Sequence, residues 1–359
     1  MSSLATVPVL SLAQRSARAK ELAREHGFLL NGIASVPADG SSPDAAHFAA
    51  WISGGLNGPI EYMQRGRETR ARLHSRFPWA RSVLALGAFY DGTEQGKPGR
   101  DLSAHVARYA RGRDYHRVFE RRLKTLGAAL IAEGLCTHAQ RYVDTGPVLE
   151  RAWAQAAGLG WIGKNTCLIH PRLSSFFLLA EIITDAELEP DAPALHHCGT
   201  CTRCLDACPT QAFVSPGVLD ARRCLVTWNL EQRGETPEDL WPQQGGWAAG
   251  CDICQTVCPF NAPNRIAPAD PELAAPLPWQ SMTLAQSIVM TPQQFDQAFQ
   301  ASALRRTGVK GLRLGAITVA GNLKTAECRE ALHVSIKDED ADIRARADWA
   351  LKQFGDTDS

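Results

Sequence analysis

The cysteines constrain this chain most. Eight of its eleven cysteines lie between positions 198 and 258. The first four follow the spacing C-x2-C-x2-C-x3-C-P, which is typical of bacterial proteins that hold two [4Fe–4S] clusters and whose fourth thiolate crosses to the other cluster. A second run, C-x2-C-x3-C-P, has one cysteine fewer than the first. A single cysteine between the runs brings the total to eight, the number that two four-cysteine ligand sets need. The spacing therefore predicts two ligand sets, the first being Cys198, Cys201, Cys204 and Cys258 and the second being Cys208, Cys224, Cys251 and Cys254.

Structural zinc and disulfide bonds are the alternative uses of such a cluster of cysteines. Disulfides fit poorly, because a chain of 359 residues does not need stapling and nothing in it looks secreted. Zinc would leave the two Cys-Pro signatures unexplained. Iron–sulfur clusters are therefore the favoured prediction, and they imply a redox reaction elsewhere in the chain. The remaining thiols, Cys136, Cys167 and Cys328, are expected to be small buried hydrophobic residues.

Length and charge limit the class of protein. A chain of 359 residues predicts two or three domains. The 38 basic residues balance the 38 acidic ones, which excludes a globally basic nucleic-acid-binding protein but leaves room for a local basic patch. The N-terminal segment has no apolar signal core, and the longest apolar runs are shorter than a membrane span. We therefore expect a soluble cytoplasmic protein.

The hydrophobic pattern predicts an α+β fold in three parts. Residues 1–188 alternate predicted helices and strands, which indicates an α/β or α+β domain. The cysteine module is placed at 189–270, and the helical pattern of 271–359 suggests a HEAT-like tail that is too short to stand alone and should dock on the body. Helices are predicted at 9–26, 45–53, 116–133, 291–300, 312–323, 328–334 and 343–354, and strands at 28–36, 82–90, 136–143 and 176–184.

Asp144 is a candidate for chemistry because it follows a predicted strand. Acidic residues in loops at strand ends are candidates for catalysis. An Asp before a helix is also a common cap, and Pro147 would suit the first turn of a helix that opens here. The sequence leaves both roles open. The glycine-rich segment 158–164 is predicted to be irregular, and Lys164 and His170 flank a turn that could approach a large ligand.

A short basic run lies near the start of the helical tail. A solvated helix face is one interpretation and a phosphate-binding patch is the other. The residues concerned are Arg305, Arg306, Lys310 and Arg313.

Five stretches together resemble the epoxyqueuosine reductases. They are VDTGP at 143–147, GLGWIGKNT at 158–166, ARYARGRDYH at 107–116, KGLRLGAITVAGN at 310–322 and the cysteine motifs. The resemblance implies a core like that of the cobalamin-dependent reductive dehalogenases. It also implies the last step of queuosine biosynthesis, the reduction of epoxyqueuosine to queuosine at the wobble position of tRNA. Electrons would pass from two [4Fe–4S] clusters to base-off cobalamin, and the HEAT-like tail would hold the anticodon stem-loop.

The resemblance also assigns residues. Asp144 takes the place of the proton donor, and a raised pKa would keep it protonated beside the corrin. A histidine lower ligand is not expected, because Phe119 replaces the glycine of D-x-H-x-x-G. An external low-potential electron donor, a monomer and no membrane are expected. The corrin contacts implied are Lys164, Asn165, Leu168, His170, Tyr109 and Thr227, and the tRNA contacts are Arg305, Arg306, Lys310 and Arg313.

Two other functions fit parts of the chain. A reductive dehalogenase of small organohalides would share the cofactors, but the N-terminal segment carries no twin-arginine pair and the chain has a basic helical tail. A ferredoxin-like electron carrier would leave everything before Cys198 without a purpose.

Overall fold

The computed structural model describes residues 10–93 and 95–355. The helix predicted from residue 9 begins inside that range, and residue 9 itself lies outside it. The α-helices of the first part are α1 (Leu12–Glu25), α2 (Ala45–Ser53), α3 (Arg67–Ala71), α4 (Tyr115–Ala132) and α5 (Glu150–Ala156). Those that follow are α6 (Arg203–Asp206), α7 (Ile253–Thr256), α8 (Leu284–Ile288), α9 (Pro292–Ala298), α10 (Gly308–Leu323), α11 (Arg329–Ser335) and α12 (Ala341–Gln353). The strands are β1 (Leu30–Ser35), β2 (Ser82–Phe89), β3 (Ala139–Tyr142), β4 (Trp161–Ile162), β5 (Leu168–Ile169), β6 (Phe177–Thr184), β7 (Phe213–Ser215) and β8 (Val218–Leu219).

A four-stranded sheet organises the N-terminal part. Its order is β1-β2-β6-β3, and all three strand pairs are antiparallel. This pairing places the domain in the α+β class, one of the two classes that the alternating pattern allowed. Strand β2 is buried along its whole length because helices cover both faces of the sheet. The four predicted strands and the three predicted helices of this part are confirmed, with ends shifted by a few residues.

The sheet lies between two layers of helices. Helices α1 and α4 cover one face, where Phe119, Leu123 and Leu126 of the predicted α4 stripe are buried. Helix α5 covers the other face and buries Trp153 completely. Burying a side chain of this size stabilises the fold by about 1.5–3 kcal/mol. The sheet and its two helical layers thus form the rigid base from which the loops of the site project.

Two local predictions in this part were wrong. Segment 158–164 is not irregular throughout, because Trp161 pairs with Ile169 in the small hairpin of β4 and β5. The amide of Gly163 closes this hairpin on the carbonyl of Cys167 at 2.8 Å. Helix α5 does not open at Pro147 but begins at Glu150 with Leu149 as its N-cap, so Asp144 does not cap it.

The cysteine module has little regular structure. Its two short helices, α6 and α7, each carry one motif cysteine, Cys204 and Cys254. The small hairpin of β7 and β8 follows the first motif, and a π-helix at Thr227–Glu231 follows Cys224. The other motif cysteines lie in loops, where backbone and side chains are free to follow a bound group.

The helical tail docks on the rest of the chain, as predicted. One hydrophobic core joins Leu312 and Ile317 of α10 to Leu102 and Val106 of the first part and to Leu230 of the cysteine module. The predicted tail helices are confirmed, while α8 was not predicted.

The contact between the tail and the module is very close. A Cβ atom on Gly311 would lie 2.3 Å from the carbonyl oxygen of Arg233, and one on Gly315 would lie 2.0 Å from that of Ala248. Helix α10 can therefore reach this position only with glycine at both places.

Among the residues that the model describes, no helix is long and apolar enough to cross a membrane.

Candidate active site

The first predicted cysteine set is brought together in one cavity. Its four cysteines line a cavity of about 250 Å³, together with the hairpin residues Lys164, Asn165 and Ile169. Lys164 donates from Nζ to the carbonyl oxygens of Gly199 and Cys201, at 2.8 and 3.0 Å. The β4–β5 hairpin therefore braces the loop that carries the first motif.

The second predicted set lines a larger neighbouring cavity. Cys208, Cys224, Cys251 and Cys254 all contribute to a cavity of about 480 Å³. Asn165 lines both cavities and donates from Nδ2 to the carbonyl oxygen of Cys254 at 3.2 Å. The two groups of four thiols thus lie in adjoining spaces, which is the arrangement needed for two clusters that exchange electrons.

Of the three cysteines outside the motifs, Cys136 and Cys328 are buried as predicted. Cys167 is different, because it is only partly buried, lines the larger cavity and contacts the side chain of Cys254.

A polar cluster centred on Asp144 also lines the larger cavity. Tyr115 donates from its hydroxyl to Oδ2 of Asp144 at 3.1 Å, and Nε2 of His116 lies 3.2 Å from the same oxygen. The side chain of Asp144 keeps 44% of its surface exposed. Its backbone adopts the left-handed conformation, with φ of 55°. The backbone amide of Asp144 donates to Oε1 of Glu150 at 2.5 Å, which holds the loop over the first turn of α5.

The protonation of this cluster differs from the sequence-based expectation. Burial favours the neutral form of Asp144, but the hydrogen bond and charge of His116 and the charge of Arg306 outweigh it and lower its pKa. The pKa of His116 is raised to about 9, because the carboxylates of Asp114 and Asp144 more than offset its burial. The raised pKa of Asp144 was expected beside a bound corrin and stays a prediction there, while the protein side chains alone lower its pKa. Near neutral pH the proton of this pair resides on His116.

Only one residue of the predicted tRNA-binding run reaches the cavity. Arg306 projects from the tail into the larger cavity, donates from Nη2 to Glu231 at 2.6 Å and places Nη1 3.8 Å from Asp144. The other three form ion pairs elsewhere, so the run is not a single patch. Arg305 pairs with Asp296, Lys310 with Asp340 and Asp342, and Arg313 with Asp338.

The predicted corrin contacts are dispersed. Tyr109 and Asn165 line the larger cavity, and Lys164 lines the smaller one. Leu168 is buried in the core beside α5 and Thr227 is buried next to Cys224, so both lie outside the two cavities. His170 also lies outside them. Its Nδ1 accepts hydrogen bonds from the backbone amides of Arg172 and Leu173 in its own turn.

Several residues of the cavity were not singled out from the sequence. Tyr115 and His116 belong to the stretch at 107–116 that carried the resemblance. The sequence therefore pointed to this stretch but assigned no role to either residue. Glu150 and Glu231 come from segments without a motif, and only the folded chain brings them to Asp144.

Comparisons with known proteins agree on one family. Residues 197–261 match the family model described as a 4Fe-4S double cluster binding domain. Residues 70–145 match the one described as Epoxyqueuosine reductase QueG, DUF1730. An epoxyqueuosine reductase of Gloeobacter violaceus is 42% identical over 315 residues, which cover 86% of this chain and 97% of that protein. The chain belongs to the epoxyqueuosine reductase family.

Solved structures of the family share the whole fold. A crystal structure of selenomethionine-labelled epoxyqueuosine reductase superposes with a TM-score of 0.83 at 29% sequence identity, covering 95% of this chain and 90% of the other. A crystal structure of epoxyqueuosine reductase with a tRNA-Tyr epoxyqueuosine-modified stem loop superposes with a TM-score of 0.79, at the same identity and coverage. The mixed α and β architecture with its double-cluster module is therefore that of the family.

Proposed function

We propose that this chain reduces epoxyqueuosine to queuosine in tRNA. The observation that carries the proposal is the larger cavity, which the second cysteine set and the Asp144 cluster line together. Electron-carrying groups and proton-carrying groups thus meet at one place. Relatives named epoxyqueuosine reductase, among them one at 42% identity, support the same reaction.

The reaction sets clear demands. Converting the epoxide to an alkene breaks two carbon–oxygen bonds and releases the oxygen as water, so it consumes two electrons and two protons. Asp144 is the residue placed to deliver protons to the departing oxygen, since its carboxylate is exposed to the cavity and hydrogen-bonded to two other side chains. His116 keeps a proton beside it at neutral pH. Arg306 places a guanidinium nitrogen 3.8 Å from Asp144, where its positive charge would favour a departing oxygen with negative charge.

The thiols fit two iron–sulfur clusters. Each cavity is lined by the four cysteines of one predicted set, and the larger cavity is lined by Cys167 as well. Four thiolates are the usual ligand set of a [4Fe–4S] cluster. Cys198, Cys201, Cys204 and Cys258 would hold one cluster, and Cys208, Cys224, Cys251 and Cys254 would hold the other. Clusters in these adjoining positions would supply electron transfer from an external low-potential donor.

The family resemblance implies cobalamin, and we assign its binding to the side of the larger cavity that carries Asp144. Tyr109 and Asn165 line this cavity, and the open space leads from the thiols to Asp144. When bound, cobalamin supplies a low-potential cobalt centre for the electrons. Three of the predicted corrin contacts would support the cavity wall from behind. Leu168 and His170 would hold the β4–β5 hairpin and the turn that follows it, and Thr227 would hold the turn after Cys224.

The tail would hold the anticodon stem-loop. Arg305 and Lys310 each keep 45% of their side-chain surface exposed, and exposed ion pairs contribute only about 0–1 kcal/mol, so phosphates can displace their carboxylate partners. Arg313 is less suited, with 17% exposed. We keep the three parts at 1–188, 189–270 and 271–359, with a HEAT-like tail, as the proposed domains of a monomeric cytoplasmic enzyme.

A single-turnover assay tests the proposal. Anaerobic protein loaded with iron–sulfur clusters and cobalamin is mixed with epoxyqueuosine-containing tRNA and dithionite, and the nucleosides are analysed by mass spectrometry. We expect queuosine at one equivalent per enzyme, and none with protein that lacks cobalamin. A small organohalide serves as the control substrate. Dehalogenation of that compound without conversion of the tRNA would overturn the proposal in favour of a dehalogenase.

A further inference from the structure

A second pair of acidic residues lies behind Asp144, and the reaction described so far does not use it. Glu181 lies in the middle of the apolar strand β6 and is 2% exposed. It faces Glu150, the first residue of α5, and the two carboxyl groups lie within hydrogen-bonding reach of each other. A hydrogen bond between two carboxyl groups requires a proton on one of them, because ionised carboxylates only accept.

The surroundings keep this proton in place. Oε1 of Glu181 has no hydrogen-bond partner among the described residues, so no donor stabilises a negative charge there. Burial and the charge of Asp144 raise the pKa of Glu150 to about 8, and burial and the charge of Glu150 raise the pKa of Glu181 as well. Burying an ionised carboxylate without a partner is strongly unfavourable, so such a group keeps its proton instead. The charged and titratable groups that face the pair are Asp144 from the loop, Arg151 from α5, Tyr115 and His116 from α4, Arg70 from α3 and Tyr142 from β3.

The pair is connected to the reaction cavity. Glu150 lines that cavity, and its Oε1 accepts the backbone amide of Asp144 at 2.5 Å. Two proton-holding pairs therefore meet at Asp144: His116 with Asp144, and Glu150 with Glu181. The proposed reaction consumes two protons, and each pair holds one.

We propose that Glu150 and Glu181 share a stored proton at the floor of the cavity and supply the second proton of the reduction. This inference rests on the proposed function. The O–H bond of the pair breaks, the proton refills the carboxylate of Asp144 and then ends on the departing oxygen, which leaves as water. The pair keeps a single additional negative charge until water from the bulk restores its proton. The two electrons come from the external low-potential donor, so no further reactant is needed. Glu181 acts as a positioning residue, because it touches neither the cavity nor a substrate.

Infrared spectroscopy tests the stored proton without turnover. The spectrum is recorded on the loaded holoenzyme at about pH 7, where buried carboxylic acids with a raised pKa stay protonated. We expect a carbonyl band from a neutral buried carboxylic acid. The band should shift in deuterium oxide, disappear in Glu181→Gln and persist in Glu133→Gln, an exposed carboxylate paired with Arg18. If wild-type protein has no such band, or if the band survives in both Glu181→Gln and Glu150→Gln, the inference is wrong.

Single-turnover rates test its use. Glu181→Gln should slow conversion of epoxyqueuosine-containing tRNA about 10²-fold at about pH 8, at the lower end of what proton donors contribute, and much less at about pH 6, where bulk protons are plentiful. Glu133→Gln should match wild type at both pH values. A loss in Glu181→Gln that is equal at both pH values would indicate a purely structural role and overturn the inference. Failure of wild type itself to convert the tRNA would count against the proposed function, while the infrared test of the pair would stand on its own.

Discussion

His116 and Asp144 meet through one ring nitrogen and one carboxylate oxygen, with Nε2 and Oδ2 3.2 Å apart. The contact lowers the pKa of Asp144 and raises that of His116 to about 9. The two residues therefore act as one unit that carries one proton and little net charge. A donor of this kind can give a proton at neutral pH without being a neutral carboxylic acid at rest.

The first prediction separates catalysis from capping at Asp144. Asp144→Asn should leave folding unchanged, because asparagine tolerates the left-handed backbone and Leu149 is the cap of α5. Without a transferable proton, single-turnover conversion should fall about 10²–10⁴-fold. The assay uses dithionite, so no protein donor limits it. Conversion near the wild-type rate, with clusters and cobalamin bound, would remove Asp144 from the mechanism.

The second prediction concerns pH and stability. The raised pKa of His116 means that its ion pair stabilises the fold fully below about pH 6.5 and that this contribution is lost as pH rises through about 9. The lowered pKa of Asp144 limits the stabilisation at low pH. The contribution of Asp144 to the stability of the fold is lost as the pH falls below 3.8. A double-mutant cycle with His116→Gln and Asp144→Asn should give a coupling below about 1 kcal/mol, because the pair is partly exposed. A coupling that stays constant from about pH 6 to about pH 10 would contradict the assigned pair.

The third prediction tests the cysteine sets. Cys224→Ser should remove one cluster, because Cys224 is the ligand that comes from between the two motifs. Iron should fall from about eight to about four atoms per chain, and the spectrum of the other cluster should persist. Cys136→Ser, a buried cysteine outside both cavities, is the matched control and should keep all its iron. Full iron content in Cys224→Ser would show that the second set is wrongly composed.

The fourth prediction divides the basic run by function. Arg305→Ala should lower the salt slope of tRNA binding by roughly 1 and leave single-turnover conversion by the saturated enzyme unchanged. Arg306→Ala should mainly slow conversion, because it leaves Glu231 without its partner and removes positive charge beside Asp144. Binding titrations at several salt concentrations and single-turnover rates distinguish the two. Equal effects of both variants on the rate would place Arg306 outside the reaction.

The fifth prediction concerns the contact between tail and module. Gly315→Ala should strongly destabilise the protein, because its Cβ atom would lie 2.0 Å from a backbone oxygen of Ala248. Gly127→Ala is the matched control in the interior of α4, where the nearest atom lies at 3.5 Å. That control should stabilise the protein by up to about 1 kcal/mol through helix propensity. Thermal unfolding measures the effect. Equal melting temperatures for Gly315→Ala and wild type would mean that α10 can move away from the backbone of Ala248 without loss of stability.

The sequence predicted the parts of this fold that local patterns govern. The α4 stripe of Phe119, Leu123 and Leu126 was predictable because helical periodicity alone places it on the core. The motif spacing divided the eight cysteines into the two groups that line the two cavities, and their role as cluster ligands stays a prediction. The pairing of Trp161 with Ile169 was missed, since two-residue strands leave almost no pattern in the sequence.

The site was less predictable for a physical reason. Asp144 was found from its loop, but its pKa depends on His116 and Arg306, which lie far from it in sequence. Arg306 was read as a surface charge because its neighbours are basic, whereas tertiary folding turns it towards Glu231. Contacts between distant segments set the electrostatics, and no local pattern encodes them.

Arg306 closes one wall of the larger cavity from the far end of the chain. The ribosome makes a protein from its N-terminus, so all eight motif cysteines are synthesised before Arg306 is. During synthesis the thiols are available while the wall beside Asp144 is still missing. The order of translation therefore leaves an open entrance for large prosthetic groups, and docking of α10 is the event that completes the enclosure.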